Sequence, residues 1–150
     1  MKKRLLFALV LPIFMTQAEL QLASQQLEQA LATLKRLRGV APRHVYVLRL
    51  LRRLYEQLGD WEHLRELLPE LRRRRVEQED DLKLLEARTH RALLERAFLS
   101  ADARRLGMAW AEVPRALREQ PQILGDYSGY LQELGRDTEG EALLRGAMRK

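Results

Sequence analysis

Leu54-Tyr55-Glu56-Gln57-Leu58-Gly59-Asp60-Trp61 is the stretch on which the fold turns. Before Gly59, Val47, Leu50, Leu51, Leu54 and Leu58 recur at helical spacing, and after it Trp61, Leu64, Leu68 and Leu71 do the same. A glycine between two such stripes can adopt the left-handed conformation that closes the first helix. Asp60 can cap the amino end of the second. The spacing predicts an antiparallel helical hairpin, with the Trp61 ring filling its core.

Working outward, the tetratricopeptide (TPR) template puts its large first-helix residues at Leu48, Leu51 and Tyr55, its turn glycine at Gly59 and its next aromatic at Trp61. Moved back by about 34 residues, the period of that repeat, it meets Ala30, Leu34 and a closing Pro42, with Gln25 at the turn and Leu27 at the aromatic position. A third match holds Tyr127, Leu131, Leu134 and Gly135, then Leu143, Leu144 and Ala147. Gly135 follows Gly59 by 76 residues, two periods and eight residues more. A further hairpin is therefore expected between them, with helices at about 79–100 and 102–113, the second carrying Leu106, Ala109, Trp110 and Val113. The surplus falls to 114–121, between Pro114 and Pro121. Pro69 predicts a kink late in its helix, because it lacks an N–H and crowds the carbonyl of Arg65.

The fold class expected is all-α: a TPR-like, right-handed superhelical stack of antiparallel helical hairpins. Residues 1–10 read as a basic, apolar leader and 11–150 as one repeat domain. Its repeats span about 11–43 and 44–77, followed by an unusual hairpin at 79–113 and a terminal one at 121–149.

Composition agrees with a helical fold. The chain has 150 residues, 46% of them hydrophobic and chiefly Leu, with eight Gly and five Pro to mark turns. Cysteine is absent, which excludes disulfides, thiolate metal sites and cysteine nucleophiles. The net charge of +6 favours acidic partners, but acidic and basic residues alternate along most helices, as on an ordinary solvated surface.

At the amino end, Lys2, Lys3 and Arg4 precede the apolar run Leu5 to Met15, and Thr16-Gln17-Ala18 resembles a signal-peptide cleavage site. The run is shorter than the roughly 20 residues a membrane span needs. The competing reading has Pro12 opening the first helix and Ile13, Phe14 and Met15 in the core. It is favoured, because cleavage after Ala18 would remove half of that helix and expose Leu27, Leu31 and Leu34.

Catalytic signals are not found. His44, His63 and His90 have no metal-ligand spacing and are expected at the surface, so no metal site is predicted. Ser24, Ser100 and Ser128 have no histidine or glycine elbow nearby, and Glu77 to Asp81 reads as a helix-start acidic cluster. Arginines at 43, 49, 52, 53 and 72–75 make nucleic acid a competitor, yet interleaved stacking aromatics and a recognition helix are lacking, so nucleic-acid binding is not expected. A protein-binding face is expected instead on the helix holding Tyr46, Arg49, Arg53, Glu56 and Gln57. Arg49 and Arg53, four apart, can reach one carboxylate cluster, and Tyr46 adds a flat apolar contact. The competing reading leaves both arginines solvated, with Glu56 neutralising Arg53 or Arg52.

The run Ala41-Pro42-Arg43-His44, then Val47-Leu48-Arg49-Leu50, Tyr55, Gly59-Asp60-Trp61, Leu67-Leu68-Pro69 and the later Trp110 resembles the TPR region of HemY-type proteins associated with haem biosynthesis in proteobacteria. The resemblance runs from about Leu11 to the carboxyl end. It implies an inner-membrane protein with two amino-terminal spanning helices and a soluble repeat domain, linked to a late step of protohaem synthesis. This chain departs from that pattern in having no such pair of helices, so membrane association would come only through parts absent from it. The flavin-dependent oxidase of the same name is a different protein, whose G-x-G-x-x-G fingerprint is missing here. The expected role is a non-catalytic scaffold, with haem-pathway enzymes presenting acidic segments as partners. No cofactor is expected, haem or a porphyrin being the ligand the resemblance would suggest. The expected location is the cytoplasmic face of the bacterial inner membrane, or the periplasm if residues 1–18 act as a signal peptide. The alternative is a secreted or periplasmic TPR adaptor unrelated to haem.

Overall fold

Leucines at three- and four-residue spacing turn inward along helix after helix, and helix is the only regular structure among the described residues. The computed structural model describes residues 2–135 and 146, with side chains from Val10 onward. The elements are α1 (Lys2–Ala23), α2 (Leu27–Val40), α3 (Val45–Leu58), α4 (Trp61–Arg73), α5 (Glu79–Leu99), α6 (Ala103–Glu112), α7 (Arg115–Arg118) and α8 (Pro121–Glu133). They fall into two units, residues 1–82 and 83–150.

In the first unit α1 packs on α2 and α3, α2 on α3, and α3 on α4. The residues that drive this are Ala18 and Leu22 of α1, Ala30, Leu34 and Leu37 of α2, Val47, Leu48, Leu50, Leu51 and Leu54 of α3, and Leu64, Leu67, Leu68 and Leu71 of α4, all buried. Each buried leucine contributes roughly 1.5–3 kcal/mol relative to exposure. Leu58, counted above on the inward stripe, is 37% exposed, because the last turn of α3 overshoots the core.

The turns follow from local chemistry. Gly59 takes φ +68° and ends α3, while the N–H of Asp60 donates to the Tyr55 carbonyl at 2.9 Å. The Asp60 carboxylate then accepts from the His63 N–H at 3.3 Å and caps α4. At the far end of α4, Arg75 takes φ +51° and the Val76 N–H donates to the Leu71 carbonyl at 3.0 Å; the two apolar side chains are buried, the hydrophobic contact typical of such closures. Pro69 lies exposed within α4, and the helix continues past it to Arg73.

Besides Arg75 after α4, left-handed residues follow α1 at Gln25, α3 at Gly59, α5 at Ala101 and α8 at Gly135. Gln25 and Gly59 are 34 positions apart, Gly59 and Ala101 are 42 apart, and Ala101 and Gly135 are again 34 apart. The eight surplus residues therefore precede Ala101, and the assignment to 114–121 is corrected. Seven of the eight lie in α5, which is 21 residues long against 14 for α3. The segment 114–121 instead forms α7 and the start of α8, with Pro121 in the first turn, where its missing N–H costs nothing.

Two further expectations change. Pro12 does not open the first helix: α1 runs unbroken from Lys2 through it, Ile13 is 68% exposed, and Phe14 and Met15 are half-buried. The inward positions of α1 are Ala18 and Leu22, one and two turns later. Trp61 is half-buried and not the core filler it was expected to be. It is the first residue of α4, at the mouth of the turn, where a Cβ on Gly59 would lie 4.0 Å from its indole Nε1. The core beneath is already filled by Leu64, Leu67 and Leu68. Among the described residues, no helix is long and apolar enough to cross a membrane.

In the second unit, Leu94, Ala97, Leu106, Val113, Leu117, Ile123, Tyr127 and Leu131 form one buried cluster. Asp102 caps α6 by accepting from the N–H groups of Arg104 and Arg105. Arg118 donates from Nε to the Val113 carbonyl at 3.0 Å and from Nη2 to the Ala111 carbonyl at 2.8 Å, satisfying carbonyls that the end of α6 leaves open. Its guanidinium lies 5.5 Å from the Trp110 ring, which stacks on Tyr127 at 4.2 Å. Gly135, at φ +83°, closes α8. Leu143, Leu144 and Ala147, expected in the second helix of the terminal hairpin, lie outside the described residues.

Candidate interaction surface

The face of α3 opposite its leucines carries the residues singled out for binding. His44 starts the helix by accepting the Tyr46 N–H on Nδ1 at 3.2 Å, so its imidazole has a capping role that the sequence reading missed. Arg49, Arg53 and Gln57 are exposed, while Tyr46 and Glu56 are half-buried. Their spacing of three and four puts them along one side of the helix.

The contacts divide them. Arg49 donates from Nη2 to the Val76 carbonyl at 3.2 Å, so it is partly held by the connector after α4 instead of being wholly available to a ligand. Glu56 pairs with Arg52 at 3.3 Å, which agrees with one branch of the solvated reading. Arg52 also brings Nε to 2.8 Å from Glu77 Oε1, but the N–H is not aligned on that oxygen, so this is a contact of charges and not a hydrogen bond. Arg53 stands exposed one residue further along the same helix.

The structure thus brings the middle of α3 to the α4–α5 connector, which sequence reasoning did not connect. There an open depression of about 560 Å³ is lined by Arg72, Arg75, Val76, Glu77, Gln78, Glu79 and Leu82. The four-arginine run before it is mostly engaged within the unit: Arg73 and Arg74 reach Glu70 at 3.0 and 3.3 Å, and Arg72 lies 3.7 Å from Glu79. The available signal was the position of the run, at a helix end followed by Val76-Glu77, where basic side chains find carboxylates and carbonyls.

The repeat positions have mixed outcomes. Ala30, Leu34 and Leu51 are buried, Pro42 is exposed between α2 and α3, and Gly59 and Gly135 take left-handed conformations. Tyr55 is buried and stacks on His63 at 5.5 Å; burial pushes its phenol above the ordinary range, with Arg38 opposing and Asp60 and Glu66 adding to the rise. His63 is exposed and lies 2.6 Å from Asp60 Oδ2. His90 was expected at the surface and is 3% exposed. It falls in helical register with Leu93, Leu94 and Ala97, so α5 carries it inward beside Thr89, whose hydroxyl donates to the Leu85 carbonyl at 2.7 Å. Among the described residues, no group of three His, Asp or Glu side chains is placed to hold a metal ion.

With this geometry in place, comparison with known proteins adds one relationship. The chain is similar to Protein HemY. It is 27% identical over 141 residues to Protein HemY of Escherichia coli strain K12, and equally so to those of Escherichia coli O157:H7 and Shigella flexneri. The alignment covers 93% of this chain and 35% of each relative, so the chain spans about a third of their length. No family model matches the chain, and no solved structure does.

Proposed function

We propose that this chain is a non-catalytic TPR-like scaffold that holds acidic segments of haem-pathway proteins against the exposed face of α3. The observation that carries the reading is the recurrence of left-handed helix closures 34 residues apart, at both ends of the chain, on hairpins packed through leucine stripes. That is the period of a repeat whose usual work is holding other proteins. The haem pathway and a position at the cytoplasmic face of the inner membrane are drawn from similarity to Protein HemY along 93% of the chain. A nucleic-acid reading is less favoured, since Arg72, Arg73 and Arg74 each meet a carboxylate within the protein.

The chemistry proposed is simple. Arg53 and the remaining donors of Arg49 offer charge-assisted hydrogen bonds to carboxylates, Gln57 offers an amide, and Tyr46 supplies a flat partly apolar contact. The test is capture from a haem-producing bacterial lysate followed by titration of the captured partner, using Arg49→Ala/Arg53→Ala beside the control Arg73→Ala/Arg74→Ala. The first pair should weaken binding by about tenfold or more with the circular dichroism spectrum unchanged, and the control by little. Greater loss in the control pair would move the binding site to the end of α4 and overturn the assignment.

A further inference from the structure

A second surface, in the other unit, has the opposite electrostatic character. α5 and α8 meet there along a seam fastened by Arg91 Nε donating to Asp126 Oδ2 at 3.0 Å and by the Phe98 and Tyr130 rings, stacked with centroids 4.5 Å apart and planes 16° from parallel. Both rings are only half-buried, so an aromatic pair remains open to solvent on a helical surface. Glu95 and Glu133 stand exposed one helical turn from Phe98 and Tyr130, and Asp126 lies one turn before Tyr130 on α8. Burial raises the Tyr130 phenol above its ordinary range, the three carboxylates add to the rise, and Arg91 opposes it. Three carboxylates and one guanidinium leave this patch net acidic, on a chain whose overall charge is +6.

We propose that this aromatic and acidic patch binds an arginine-bearing segment of a partner protein. The charge complementarity selects a cation, and the rings select one that is flat and weakly hydrated. A guanidinium can lie against an aromatic face while its N–H groups reach carboxylates, whereas a compact, strongly hydrated ammonium loses more on leaving water. Arg91 reaches Asp126 through Nε and so offsets one of the three carboxylates, which leaves Glu95 and Glu133 as the excess negative charge an incoming cation would meet. The inference rests on reading the chain as an interaction protein, but not on the α3 face, which attracts ligands of the opposite charge.

The experiment uses the full chain and a short fluorescein-labelled peptide alternating arginine with glycine, read by anisotropy at low salt, together with its neutral citrulline twin. The arginine peptide should bind at least about tenfold more tightly than the twin. Glu95→Gln/Glu133→Gln and Tyr130→Leu should each weaken it by about fivefold or more, and Tyr130→Phe, which keeps the ring, should restore it. Arg49→Ala/Arg53→Ala should not weaken it, so failure of the α3 assignment and failure of this one are separable. Equal binding of both peptides would overturn the proposal. So would equal loss in Glu62→Gln/Glu66→Gln, an exposed pair on α4 that makes the same change in total charge. Should Tyr130→Leu fail to fold, unchanged binding in the glutamine pair would overturn it alone. Concentration-dependent dimerisation abolished by Arg49→Ala/Arg53→Ala would assign the patch to a second copy of the chain and not to a separate partner.

Discussion

Arg49 donates from Nη2 to the carbonyl oxygen of Val76 at 3.2 Å, joining the middle of α3 to the residue that follows the left-handed closure of α4. The Val76 N–H is spent on Leu71, so both polar groups of this buried residue's backbone are satisfied, one within α4 and one from α3. Replacing Arg49 by Ala leaves the Val76 carbonyl to find water. The expected loss is about 0.5–1.5 kcal/mol in urea unfolding, against under about 0.5 kcal/mol for Arg53→Ala. Equal effects would mean that the Arg49 bond does not persist in solution.

The left-handed closures differ in what occupies them. At φ +68° Gly59 carries no strain, so Gly59→Ala should destabilise by about 1–2 kcal/mol. Ala101, at φ +57°, already bears that strain, and Ala101→Gly should raise the thermal midpoint, gaining up to about 1 kcal/mol. Calorimetry of the two variants gives opposite signs if the closures are as described.

Trp61 and Leu64, one helical turn apart, should separate in the same assay. Leu64 is fully buried, and Leu64→Ala should cost about 2–5 kcal/mol, whereas Trp61→Ala, at a half-buried turn position, should cost about 1 kcal/mol. A larger loss at Trp61 would put the indole in the core after all.

Tyr55 predicts an alkaline effect. Its phenol is held above the ordinary value of about 10, chiefly by burial, so the folded state retains a proton that the unfolded chain releases first. The stability this represents is complete below that ordinary value and is lost as pH rises through the folded one. Urea midpoints of the parent protein should therefore fall more steeply above about pH 10 than those of Tyr55→Phe. Parallel curves would show that Tyr55 ionises as freely folded as unfolded.

What could be read in advance depended on whether the signal was local. The hairpin around Gly59 was legible because glycine, a capping aspartate and periodic leucines all act within a few residues. The helices expected at about 79–100 and 102–113, from the repeat spacing and the Leu106, Ala109, Trp110 and Val113 periodicity, lie within a residue of α5 and α6. The closure at Ala101 was not, since nothing in the side chain of alanine announces a left-handed backbone; without it the eight surplus residues were assigned to the nearest prolines. Tertiary consequences were equally hidden. Arg49 and Val76 lie 27 residues apart, and no periodicity relates a guanidinium to a particular carbonyl. His90 looked polar beside Thr89 and Arg91, and only its alignment with Leu93, Leu94 and Ala97 on one helix turned it inward.

The lengthening of α5 has a consequence for phase. The helix has seven residues more than α3, and seven residues make two turns with only about 20° left over, while adding roughly 10.5 Å of length. An extension by five or nine residues would rotate everything beyond it by well over a right angle and turn the leucine stripe toward solvent. One of seven moves that stripe along the helix axis while keeping its azimuth, so the buried positions of α5, from Leu82 to Ala97, share one side of the helix over its whole extra length.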